Sequence, residues 1–142
     1  MIQREPIYRA LASLLEAVPG IKNFSRKLLH WSDVPAIEQP ALFMACSNQS
    51  VVISGRGMPA KHHLPVKLYL YACTAEDAKI SPSEILNPLL DAIEAALAPI
   101  GEETQTLGGL VSHCWIEGSI ETDEGVLGTQ AMAIVPIDIL VP

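Results

Sequence analysis

Beyond Lys79 the sequence contains no lysine or arginine at all. From Ile80 to Pro142 it carries ten acidic residues, a balance of −10, whereas the stretch up to Lys79 has nine basic and six acidic residues, a balance of +3. Such a split can mark a nucleic-acid-binding half or a charged tail. The acidic half is rich in apolar residues and so is no tail. The basic residues are scattered and lack interleaved aromatics, which argues against sequence-specific nucleic-acid binding. Aromatic residues are few, with two Trp, three Tyr and two Phe. No apolar run approaches the length of a membrane-spanning helix, so no membrane partner is expected. The opening Met1-Ile2-Gln3-Arg4-Glu5-Pro6 is polar where a secretory leader needs an apolar stretch, and synthesis in the cytoplasm is expected. Cysteine is scarce too: Cys46, Cys73 and Cys114 are odd in number, far apart and set among apolar neighbours. That pattern suits buried, reduced thiols better than a disulfide framework.

What remains is a chain of 142 residues, 49% hydrophobic, long enough for one domain with a core that needs no staple. Pro6 suits a first helical turn, and Ile7, Leu11, Leu14, Leu15 and Val18 recur at helical spacing until Pro19-Gly20. Phe24 to Trp31 reads as an edge strand, Ser32 to Pro35 as a turn, and Ala41 to Cys46 as a short apolar strand. Residues 47–63 show no clear period and read as a flexible loop, with Val51-Val52-Ile53 as one short strand inside it. Leu64 to Thr74 alternates as a strand. Ser81, Pro82 and Glu84 make a capping box ahead of the stripe Ile85, Leu86, Leu89, Leu90, Ile93 and Leu97. The last third reads as a hairpin, one strand from Gln105 to Glu121, a turn at Thr122-Asp123-Glu124-Gly125, and a return strand from Gly128 to Val141. The expected fold is α+β, a mostly antiparallel sheet with two helices packed on one face, in the order α-β-β-β-α-β-β. The sheet's other face needs a cover, and a partner subunit would supply one.

Residues able to carry chemistry do not assemble into a site in the sequence. His113, Trp115 and Glu117 share one face of a strand, but the His and the carboxylate then stand some 13 Å apart at about 3.3 Å per residue, too far for an acid–base pair. His62-His63 has no third ligand at metal spacing. Gly55-Arg56-Gly57 lacks the rest of a phosphate loop, and no G-x-S-x-G elbow occurs. Asp91 and Glu94 share a side of the second helix as a solvated face. No catalytic residue, metal or cofactor is expected, and the chain reads as a non-enzyme. A catalytic alternative requires distant residues such as His113 and Asp138 to converge.

Several segments in fixed order carry a family resemblance. They are Arg26…His30-Trp31-Ser32-Asp33-Val34, Gln39-Pro40-Ala41-Leu42-Phe43, Leu86 to Leu97, Gln105-Thr106-Leu107-Gly108-Gly109-Leu110-Val111, Ile116-Glu117-Gly118, and the closing strand Gln130 to Pro142. In this order and at this length the chain resembles the tail terminator, or tail completion, proteins of long-tailed bacteriophages and prophages. The resemblance covers most of the chain and is weakest over 47–63. It implies a structural α+β subunit that forms a ring, typically a homohexamer. The ring caps the tail tube, ends its polymerisation and provides the head–tail joining surface. Implied partners are further copies of the chain, the tail tube protein and the head–tail connector protein. The implied location is the host cytoplasm during assembly, then the virion tail. A ring needs two different patches per subunit, and opposite charge on them would steer assembly. Arg26 and Lys27 against Asp91 and Glu94 are the expected subunit interface. Arg56, Lys61, His62 and His63 are the expected contacts of the loop with the tube, a neighbour or the lumen. A head–tail adaptor of the neck and a small-molecule-binding α+β domain are the alternatives.

Overall fold

A computed structural model describes residues 2–74, 80–99, 101, 104–123 and 128–142. Helix α1 spans Arg4–Glu16 and buries Ile7, Tyr8, Leu11, Ala12 and Leu15 along one stripe. Gly20 ends this segment at φ +88°, and a Cβ there would stand 3.1 Å from Leu89 Cδ2. Glycine is therefore needed twice, for the left-handed backbone and for the close approach of the second helix. Helix α2 spans Pro82–Ala96, with the Ser81/Glu84 capping box formed as the sequence predicts. It turns Leu86, Leu89 and Ile93 inward.

Seven strands form one mixed sheet: β1 Asn23–Ser25, β2 Ala41–Cys46, β3 Ser50–Val52, β4 Lys61–Cys73, β5 His113–Ile116, β6 Glu121–Asp123 and β7 Gln130–Val141. The main order is β1-β2-β4-β7-β5, with β3 beside β4 and β6 beside β7. All pairings are antiparallel except β1 with β2, where Asn23 lies against Ala41 in parallel. The long central pair is β4 with β7, and Leu68 lies opposite Val135. Side chains alternate across a strand, so Leu64, Val66, Leu68 and Leu70 share a face with Ala133, Val135, Ile137 and Ile139. Both helices pack on that face in one core. Each leucine fully withdrawn there contributes about 1.5–3 kcal/mol.

The α+β class and the two helices on one face agree with the sequence. Several boundaries differ. Phe24 to Trp31 is not one strand: pairing stops at Ser25, and single turns of 3-10 helix follow at Trp31–Asp33 and Ala36–Glu38. The expected strand Gln105 to Glu121 is two short ones, because residues 105–112 coil through Leu107, Gly108 and Gly109, all at positive φ. Of the expected turn Thr122-Asp123-Glu124-Gly125, Thr122 and Asp123 are instead strand residues, paired with Ala133 and Met132 of β7, and Glu124 and Gly125 lie outside the described residues.

Residues 47–63 form a hairpin rather than an open loop. β3 pairs with the start of β4, Val51 opposite His62. Lys61, His62 and His63 are thus strand residues, not loop residues. Beyond β3, Met58 N–H donates to Gly55 C=O at 3.1 Å, and Gly57 sits at φ +80°. This is the pattern of a tight turn with glycine at the position that demands positive φ.

The three thiols are free. Cys114 is buried beneath the helices, and burial, followed by the Asp138 charge, pushes its thiol up to about 12. Burial also lifts the Tyr8 phenol to about 12, with Cys46 adding to the shift. Cys46 itself is exposed at the end of β2, against the expectation that all three thiols are buried. Both raised groups ionise more readily in the unfolded chain. Their stabilisation is complete below about pH 9 and is lost as pH rises towards 12. A urea midpoint clearly lower at pH 11 than at pH 8 is expected. In the same pH 8 sample a thiol reagent should label Cys46 and leave Cys114 untouched until urea is added. Rapid labelling of all three native thiols would contradict the burial.

Candidate functional site

Neither α1 nor α2 packs on the sheet's second face. There, Tyr69 and Tyr71 of β4 share a side with Met132 and Ile134 of β7, and with Ala41 and Phe43 of β2. Part of this face is covered by the segment between β1 and β2, hereafter the strap. Val34 of the strap packs into a small second core with Ala41, Phe43 and Tyr71. The Phe43 and Tyr71 rings lie 5.5 Å apart at 48°. Tyr71 hydroxyl donates to Leu29 C=O at 2.8 Å, which ties the strap down. A reciprocal amide pair completes the anchor: Gln39 Nε2 donates to Gln130 Oε1 at 2.9 Å, and Gln130 Nε2 donates to Gln39 Oε1 at 3.0 Å. Both glutamines are buried, and Gln39 also donates to Val34 C=O.

The strap does not close the face. Between it and the sheet lies a groove of about 430 Å³, lined by Leu28, Leu29, Trp31, Tyr69 and Met132 among others. Leu28 and Leu29 are exposed. Pairing of Asp123 with Met132 and of Glu121 with Ile134 puts two carboxylates on the same face just beyond the groove.

Farther along this face, His63 Nδ1 lies 3.3 Å from Asp138 Oδ2. His113 stacks on Trp115 with centroids 3.3 Å apart, and Trp115 Nε1 donates to Glu117 Oε2 at 3.0 Å. The shared face of His113, Trp115 and Glu117 follows the sequence. The partner of Asp138 does not, since Asp138 reaches His63 of β4. Among the described residues no cluster of three or more His, Cys, Asp or Glu is placed to hold a metal ion. His62 points to the other face, its Nδ1 buried without a hydrogen-bond partner.

The expected interface residues sit near opposite ends of the sheet. Lys22, Arg26 and Lys27 flank β1, the strand at one edge. Arg26 is engaged within the subunit, paired with Glu5 of α1 and lying 5.9 Å from the centre of the Tyr8 ring. Lys27 is exposed. Asp91 and Glu94 are exposed on α2, and Glu94 lines a hollow with Trp115 and Ile116 of β5, at the other edge. Glu117, Glu121 and Asp123 belong to that second edge. Arg56 lies in the connection between β3 and β4, and Lys61 begins β4. The groove went unread in the sequence, since nothing there shows that residues 28–31 fold back over Tyr69 and Met132.

No protein-family model matches this chain, and no curated protein matches it. No described helix is long and apolar enough to cross a membrane.

Proposed function

We propose that this chain is a tail terminator subunit of a long-tailed phage or prophage. It assembles head to tail into a ring, a hexamer by its resemblance to that family. The observation that carries this reading is the unequal charge of the two edges of one sheet. Lys22, Arg26 and Lys27 flank β1, with Asp33 and Glu38 on the strap beside them. Glu117 follows β5, Glu121 and Asp123 lie on β6, and Asp91 and Glu94 lie on the outer side of α2, with no lysine or arginine on these elements. Two unlike, complementary edges favour a heterologous contact, which repeats around a closed ring. The half-covered second face of the sheet adds apolar surface for such a contact.

In this reading the ring closes the tail tube and offers its free side to the head–tail connector protein. The hairpin β3–β4, with Arg56 and Lys61, contacts a neighbour or the tube protein. Assembly proceeds in the host cytoplasm and the ring stays in the virion tail. The activity is structural, and no cofactor takes part. A neck adaptor would share the ring physics and differ in docking partner. Electron microscopy of purified tails, with the chain labelled, tests the proposal. A ring of label at the head-proximal end of the tube is the expected result. Label at the head vertex alone would favour the adaptor, and scattered or monomeric label would overturn the ring.

A further inference from the structure

The hairpin between β3 and β4 presents an unusual surface. Val51, Val52, Ile53 and Met58 are all exposed, Ile53 at 65%. Four large apolar side chains on one short projection form a knob that the described residues leave exposed, the kind of patch that marks an interaction site. Arg56 stands at its tip, and residues 47–60 contain no acid.

A matching recess exists elsewhere on the same chain. The groove under the strap is lined by Leu28, Leu29, Trp31, Tyr69 and Met132, with Glu121 and Asp123 beyond Met132 and Lys27 on the strap side. We propose that the hairpin knob docks into the strap groove of a second copy of this chain. Ile53 and Met58 enter the groove, and Arg56 faces the carboxylates of β6.

The knob cannot fill its own groove. It joins β4 at Lys61, whereas the groove lies at Tyr69 and Tyr71, about 26–33 Å farther along the strand at roughly 3.3 Å per residue. The connection 53–60, doubled back on itself, reaches only about half that distance at ~3.5 Å per residue. Knob and recess are different patches on one molecule, so their contact is heterologous and propagates from copy to copy. Its direction agrees with the charged edges. β3 lies on the same side of β4 as the basic edge, and the carboxylates beyond the groove belong to the acidic edge. The contact is small beside a standard interface of about 1,600 Å², so it is weak between two free copies and gains strength when a ring closes.

The contact deepens the proposed ring and rests on it for closure. The test uses two full-length double variants, Ile53→Asp/Met58→Asp on the knob and Leu28→Asp/Leu29→Asp in the groove. All four positions are exposed, so circular dichroism should show both variants folded. By sedimentation velocity each variant alone should self-associate at least tenfold more weakly than the parent chain. An equimolar mixture should form pairs and stop there, because only one intact knob and one intact groove remain. Independently, Ile53→Cys/Leu29→Cys, with Cys46 and Cys73 changed to Ser, should give a ladder of intermolecular disulfides. Parent-like association of both variants overturns the contact. So does a parent chain that stays monomeric and yields no ladder at the highest attainable concentration. Rings of the knob variant at tail ends would overturn this contact and leave the tail-end function standing. A parent chain absent from tail ends would overturn the function instead.

Discussion

Gln130→Ala is expected to lower stability by about 2–4 kcal/mol, a large share of a domain's usual margin. The side chain is buried and bonds at once to Gln39, Ala72 C=O and Ala131 C=O. Truncation leaves the Gln39 carbonyl oxygen without its donor in a place water does not reach. The cost comes from that stranded partner more than from the lost bond, since a satisfied hydrogen bond is worth only about 1 kcal/mol net. Replacing both amides, in Gln39→Leu/Gln130→Leu, should therefore cost less than Gln130→Ala alone. Urea unfolding of the parent chain, Gln130→Ala, the two single leucine variants Gln39→Leu and Gln130→Leu, and the double variant measures this. A double variant as weak as the sum of the two single losses would show that the amides act through packing, not through each other.

Reversing one charged edge should have the largest effect on assembly. Arg26→Glu/Lys27→Glu places like charges opposite Asp91 and Glu94 in the proposed ring, and a loss of about 100-fold in assembly is expected, corresponding to about 2.8 kcal/mol. The fold should survive, because the Arg26–Glu5 pair is exposed and such pairs contribute at most about 1 kcal/mol. Combining the reversal with Asp91→Lys/Glu94→Lys should recover much of the loss. Raising salt past about 0.15 M, where screening acts over about 8 Å, should weaken the parent ring in the same direction. Counting ringed tail ends by electron microscopy gives the readout. Unchanged rings in the Arg26/Lys27 variant would remove these residues from the interface.

The elements with local signals were legible in the sequence. Ser81, Pro82 and Glu84 announce α2 because a capping box is written within four residues, and Ala41 to Cys46 is a strand to the residue. Signals that depend on distant pairing were not. Lys61, His62 and His63 look like loop because two histidines and a lysine carry no apolar alternation, yet Ser50 to Val52 and Leu140 to Val141 hold them in the sheet from both sides. The stretch from Gln105 fails as a strand where Leu107, Gly108 and Gly109 all take positive φ, a run no extended ladder tolerates. The same limit hid the site. Opposite charges in the two halves of the chain were visible, but only the strand order sends them to opposite edges. The groove, and the pairing of His63 with Asp138, exist only because β4 and β7 are neighbours.

That neighbourhood also sets how fast the molecule can form. β4 ends at Cys73, β7 starts at Gln130, and α2, β5 and β6 all lie between them. The central ladder therefore closes a long loop before it gains any contact in return. Chains dominated by such remote pairings fold on the millisecond-to-second scale, well behind helical bundles of similar size. Until β7 arrives, the apolar row Leu64, Val66, Leu68 and Leu70 has nothing on its flank, and the outer side of β4 offers an unpaired backbone edge. Crowded nascent chains are then at risk of joining one another through β4, so yield on expression should depend on temperature and synthesis rate as much as on the stability of the finished fold.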